Sequence, residues 1–205
     1  MLAEYLLLSM KLSQTDIDRM IKTGVWSNRC PVHHSRLTKL SIPLWGFDEK
    51  PHVGSLMVLD EFEDAVLKLF ADLYTIRFPI ERMEVIENYN GNDTSSMEMN
   101  NSSGYNGRRI MDSSQWSSHA YGLAIDLNPR QNPYLRFNRE ASNITVYPSR
   151  SLPFVNRNIP KPGMVEAIVP IFAKYGFTEW GGNWEFKPDY HHFQVPWNRI
   201  IEMFP

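Results

Sequence analysis

A single cysteine, Cys30, excludes an intramolecular disulfide and a metal site built from cysteine alone, so any bound metal must be held by histidine and carboxylate. No apolar run reaches the roughly 18–20 residues needed to cross a bilayer, and no membrane span is expected. A secretory signal is not expected either, because Glu4 precedes the short patch Leu6-Leu7-Leu8 and no basic segment stands before it. Charge of one sign is also missing. The 21 basic and 23 acidic side chains leave a net charge of −2, without the basic excess of a nucleic-acid binder. What is present is an apolar content of 42%, with 13% aromatic residues, too high for a disordered chain. At 205 residues this suits one domain with a sizeable core.

Residues 1–39 read as a helical and irregular N-terminal extension, with a short helix over 14–22 capped by Ser13 or Thr15 and stopped at Gly24. The main domain is expected over 40–205. The spacing of Leu59, Phe62, Val66, Leu69, Phe70 and Leu73 predicts a core-facing helix over 58–76. Residues 83–89 read as a strand, and the Asn-, Ser- and Gly-rich stretch 88–107 as a surface loop. A helix is expected over 164–175, kinked or interrupted at Pro170 and ended by Gly176. The long polar segment 132–162 reads as an irregular insertion bordering a cleft.

Two clusters carry chemistry. In the first, His119 and Asp126 flank Gly122, which lets the chain turn so that the histidine folds back over the carboxylate. Residues 123–127 alternate as a short strand, with the small Ala124 on the face of Asp126 leaving room for an ion. In the second, Asp189 precedes the pair His191-His192, whose side chains leave a strand in opposite directions. His119, Asp126 and one of His191 and His192 would supply three ligands and leave the open fourth position of a catalytic zinc. Asp189 remains as a carboxylate beside the activated water, the arrangement for hydrolysis with an adjacent general base. Arg108 is the candidate cation for the developing oxyanion.

Ser117-x-His119-x-x-Gly122-x-Ala124-x-Asp126, followed by Asp189-x-x-His192-Phe193, resembles the D-alanyl-D-alanine carboxypeptidase family of zinc peptidases, which includes VanX- and VanY-type enzymes and L-alanyl-D-glutamate endolysins. Asn106-Gly107-Arg108, Asp126-Leu127-Asn128-Pro129 and Trp180-Gly181-Gly182-x-Trp184 extend the likeness. The resemblance implies an α+β single domain whose central antiparallel sheet carries the metal, with helices packed against it. It implies one Zn²⁺ per chain on His119, Asp126 and His192, with Asp189 as general base and Arg108 on the substrate carbonyl or carboxylate. Ser117, Tyr121, Trp180, Trp184 and His191 are the candidate substrate contacts. The implied reaction is hydrolysis of a peptidoglycan stem peptide, most simply release of terminal D-Ala, in a periplasmic or extracellular setting. An L-Ala–D-Glu endopeptidase and a zinc-stabilised module that binds peptide without cutting it are the alternatives. Gly107 departs from the family, where a cysteine is expected before the arginine.

Overall fold

The computed structural model describes residues 8–138 and 143–205. Most of the Leu6-Leu7-Leu8 patch and residues 139–142 of the expected insertion lie outside the described residues.

The chain opens with β1 (Leu8–Lys11) and α1 (Gln14–Lys22). Ser13 caps α1 by accepting from the Asp16 amide while Asp16 reaches back to the Ser13 amide, a reciprocal pairing of otherwise unsatisfied donors. Strands β2 (Leu37–Trp45) and β3 (Pro51–Leu59) form a long antiparallel hairpin, with β1 added to its edge opposite Ser41–Thr38. The boundary drawn at 39/40 therefore falls inside β2. Met20, Val25 and Trp26 of the expected extension are buried in the same hydrophobic core as β2 and β3.

The helix expected over 58–76 begins later, as α2 (Glu63–Thr75), preceded by a 3₁₀ turn over Asp60–Phe62. Val58 and Leu59 pair with Thr38 and Leu37 instead. A continuous apolar run suits a strand buried on both faces, and the cross-strand ladder overrides the helical spacing there. Val66, Leu69, Phe70 and Leu73 then bury the predicted stripe.

The strand expected over 83–89 shrinks to β4 (Arg82–Met83), followed by a 3₁₀ turn over Ile86–Tyr89 that ends at Asn90 in the left-handed region. The loop expected over 88–107 is instead built structure, with α3 (Asp93–Glu98) and β5 (Asn101–Ser102). Asn100, Asn101, Ser102, Ser103 and Asn106 are buried. They can be, because their polar atoms complete other segments' hydrogen bonding: Asn101 Nδ2 donates to Glu84 O (3.0 Å), and Ser102 Oγ accepts from the Asn128 amide (3.1 Å).

The site-bearing sheet is antiparallel in the order β6 (Ala124–Asp126), β10 (His192–Gln194), β9 (Glu179–Trp180). Between its strands the expected irregular insertion is ordered into the antiparallel hairpin β7 (Tyr134–Asn138) and β8 (Asn143–Tyr147), with a 3₁₀ segment Ser149–Phe154. The helix expected over 164–175 is a 3₁₀ turn, Glu166–Ile168, leading into α4 (Val169–Lys174). Pro170 starts α4 instead of kinking it, since its missing N–H falls where no intrahelical acceptor is required. Helix α5 (Trp197–Met203) closes the chain.

The architecture is thus the expected α+β single domain with antiparallel sheets and helices. Alternation along β10 decides its orientation: Phe193 points into the core, stacked on Phe172 at 3.8 Å between ring centres, so His192 and Gln194 point the other way.

Candidate metal centre

The turn before β6 is a 3₁₀ helix, Ser118–Tyr121, with Ser117 accepting from the His119 amide at its start and Gly122 in the left-handed region at its end (φ 69°). A Cβ at 122 would lie 2.5 Å from the Leu59 amide nitrogen, which donates to Gly122 O at 3.0 Å. Glycine therefore serves two needs, the backbone conformation and the close approach to β3. The turn sets His119 over β6, and β6 faces β10 in the register His192 opposite Asp126 and Gln194 opposite Ala124. Ala124, Asp126, His192 and Gln194 share one face.

Three ligand atoms converge there. His119 Nε2 is 3.2 Å from Asp126 Oδ1 and 3.2 Å from His192 Nδ1, and His192 Nδ1 is 3.0 Å from Asp126 Oδ1. All three residues are buried. The outer nitrogens are already committed: His119 Nδ1 donates to Gly104 O (2.6 Å), and His192 Nε2 to Gln194 Oε1 (2.8 Å). Each ring can therefore offer its inner nitrogen to a cation at the centre. Such a cation would take the place of the ring proton that otherwise bridges to Asp126. Burial disfavours charge on His192, yet the Asp126 carboxylate outweighs it and raises the His192 pKa. The spacing of the three ligand atoms is close to the edge of about 3.3 Å in a tetrahedron with ligand bonds near 2.0–2.1 Å. The residues fit a zinc-type ion. Burial alone would push the Asp126 carboxyl up, but His119 and His191 beside it hold it well below the usual carboxylate range, as a ligand requires.

His191 is arranged differently. Its Nδ1 donates to Asn132 O (2.7 Å), while Nε2 faces Asp189 Oδ1 at 3.0 Å and Asp126 Oδ2 at 3.9 Å. Strand alternation suggested that only one histidine of the pair could enter the site. His191 reaches Asp126 nonetheless, because it lies just outside β10, where its carbonyl accepts from the Leu127 amide. Burial disfavours its charge, yet the carboxylates of Asp189 and Asp126 outweigh that and raise its pKa to about 10. A doubly protonated ring has no lone pair for a metal.

Above the centre is a cavity of about 240 Å³ lined by His119, His191, His192, Ser117, Asp189, Arg108 and Trp184, together with Asp93, Ser118, Tyr134, Lys187 and Gln194. Asp189 is fixed by its own amide, which donates to Gly181 O (2.9 Å); a Cβ at 181 would lie 2.5 Å from Asp189 O. Arg108 is held by Asp93, Nη2 to Oδ2 at 2.7 Å. The departure at Gly107 has a steric cause: a Cβ there would lie 2.2 Å from Val25 O and 2.7 Å from Cys30 Sγ. The Cys30 sulfur occupies the space where a residue-107 side chain would begin.

Two expected substrate contacts lie elsewhere. Tyr121 packs against Trp197 and Phe204, and Trp180 stacks toward Phe193 while its Nε1 donates to Tyr190 O (2.9 Å). Neither lines the cavity. Asp93, Tyr134 and Gln194 were not anticipated. Gln194 was legible in principle, two residues after His192 and hence on its face of a strand. Asp93 carried no signal in a stretch of Asn and Ser.

Residues 111–195 match the family model of D-alanyl-D-alanine carboxypeptidase, a span that holds His119, Asp126, Asp189 and His192. The resemblance drawn from the sequence is borne out over that segment. Neither the curated proteins nor the solved structures yield a match. The match and the buried ligand group together support a metallopeptidase. Among the described residues no helix is long and apolar enough to cross a membrane.

Proposed function

We propose that the chain hydrolyses an amide bond in a peptidoglycan stem peptide, with release of terminal D-Ala as the first-choice reaction. The observation that carries this reading is the convergence of two imidazole nitrogens and one carboxylate oxygen, 3.0–3.2 Å apart, on the floor of a cavity that also holds Asp189 and Arg108. A divalent ion bound to His119, Asp126 and His192 would supply Lewis acidity, polarising the peptide carbonyl and lowering the pKa of a water.

The protein's own groups do the rest. Asp189 takes the proton from the attacking water and returns it to the leaving nitrogen. The ion pair with His191 keeps this carboxylate in place at the cavity wall. Arg108 donates to the substrate carbonyl oxygen as charge gathers on it, with Asp93 holding the guanidinium so that little reorganisation is needed during the reaction. Ser117 and Trp184 bound the space for the peptide.

Mass spectrometry of purified muropeptides incubated with the protein, with and without chelator, tests this. Chelator-sensitive loss of one terminal alanine is the expected result. Cleavage between L-Ala and D-Glu would keep the mechanism and move the bond. Intact peptides in the presence of zinc-loaded protein would overturn hydrolysis in favour of a binding module.

A further inference from the structure

Gln194 Oε1 accepts from His192 Nε2 (2.8 Å) and from Ser118 Oγ (2.8 Å), which leaves its amide nitrogen facing the opposite way. That nitrogen donates to Glu179 Oε2 at 3.0 Å. Glu179 is the residue directly across β9 from Gln194, so the contact is a cross-strand pair. The other oxygen of Glu179 accepts from Trp184 Nε1 at 3.3 Å, and the Trp184 ring lies 5.2 Å from that of His192 in the wall of the cavity.

An amide side chain can satisfy either neighbour with either end only if both neighbours tolerate it. Glu179 does not, because an ionised carboxylate accepts and never donates. A flipped Gln194 would set oxygen against oxygen at Glu179 and N–H against N–H at His192. The carboxylate therefore selects one amide orientation. That orientation favours the Nε2 proton on neutral His192, against the pull of Asp126 Oδ1 3.0 Å from Nδ1, and so frees Nδ1 for a cation beside His119 and Asp126.

We infer that Glu179 is a positioning residue: acting through Gln194, it selects the His192 tautomer that can accept a metal, and it ties that choice to Trp184 in the cavity wall. The inference rests on the metallopeptidase reading for its consequence but not for its geometry.

Glu179→Gln and Glu179→Met test it, since both remove the acceptor-only carboxylate that selects the amide orientation. Zinc affinity is read by competition with a chromophoric chelator. The His192 tautomer is read by ¹⁵N NMR of the zinc-free protein at alkaline pH, and folding by circular dichroism. The methionine variant is expected to lose zinc affinity 10–100-fold, the range for removing a ligand's hydrogen-bonded support. It should also show a mixture of tautomers. The glutamine variant, whose amide donates as well as accepts, should lose the selection too, with a comparable fall in affinity and a mixture of tautomers. Loss of zinc affinity with His192 still protonated on Nε2 alone would mean that the charge acts through space, and unchanged affinity with an unchanged tautomer in both would mean no role; either overturns the inference. Should the methionine variant fail to fold, Gln194→Met removes the same relay from its other end and is expected to show the same tautomer mixture. Wild-type protein that takes up no zinc refutes the metallopeptidase reading separately, while the tautomer measurement still decides the role of Glu179.

Discussion

A histidine ligates a cation only through a nitrogen that carries no proton, and this requirement separates the adjacent His191 and His192. His192 Nδ1 converges on His119 Nε2 and Asp126 Oδ1 at 3.0–3.2 Å while Gln194 accepts from its Nε2, whereas His191 Nε2 faces Asp189 at 3.0 Å and lies 3.9 Å from Asp126. Replacing His192 by alanine should reduce bound zinc from one per chain to near zero by elemental analysis, while His191→Ala should keep zinc. Loss of zinc only in the latter would reverse the assignment. Asp189→Asn should keep zinc and lower kcat by about 10²–10⁴, the usual contribution of a positioned proton acceptor. Full activity in that variant would remove Asp189 from the mechanism.

Elements matter here mainly through how close they bring backbones. Gly122 is one such point, where a Cβ would meet the Leu59 amide at 2.5 Å and φ is positive. Gly122→Ala combines a clash with a disfavoured conformation, so a loss of stability above about 1 kcal/mol is expected in urea titrations. Zinc affinity should fall with it, because the same turn aims His119. A wild-type urea midpoint would show that the turn relaxes freely. The β7–β8 hairpin makes the opposite prediction. Its base is tied to the site, with Tyr134 bridged to the Asp189 backbone. Shortening residues 137–144 to a tight turn should change preference among muropeptides and leave zinc content intact; identical kinetics on every muropeptide would dissociate the hairpin from the cleft.

Across the whole molecule the site and the core share strand β10, polar on one face and packed on the other. Phe172→Ala, which removes the ring stacked on Phe193, should cost about 3–5 kcal/mol by denaturant unfolding. Zinc held at this centre would also feed back on stability. At 100 times the dissociation constant, a ligand specific for the native state contributes about 2.7 kcal/mol. For a chain of this size that corresponds to a rise of roughly 5–10 °C in Tm, which chelator should abolish. A melting curve insensitive to zinc and chelator would speak against the centre.

The types and order of the site residues were readable along the chain. A glycine between His119 and Asp126 signals a turn, strand alternation puts Ala124 and Asp126 on one face, and the order of the motifs carries the resemblance. The amphipathic stripe of α2 and the cap of α1 were legible for the same reason, since both depend on residues within a few positions of each other. What tertiary structure decided depends on partners far apart in sequence. The buried polar stretch 100–106 reads as loop until Glu84, Asn128 and Asp126 complete its hydrogen bonds. Val58 and Leu59 carry helical spacing until β2 captures them. The choice between two neighbouring histidines, and of the nitrogen each offers, waits on Gln194, Asn132 and Gly104. Residue type sets what a group can donate or accept, but only the fold determines which donors and acceptors it meets.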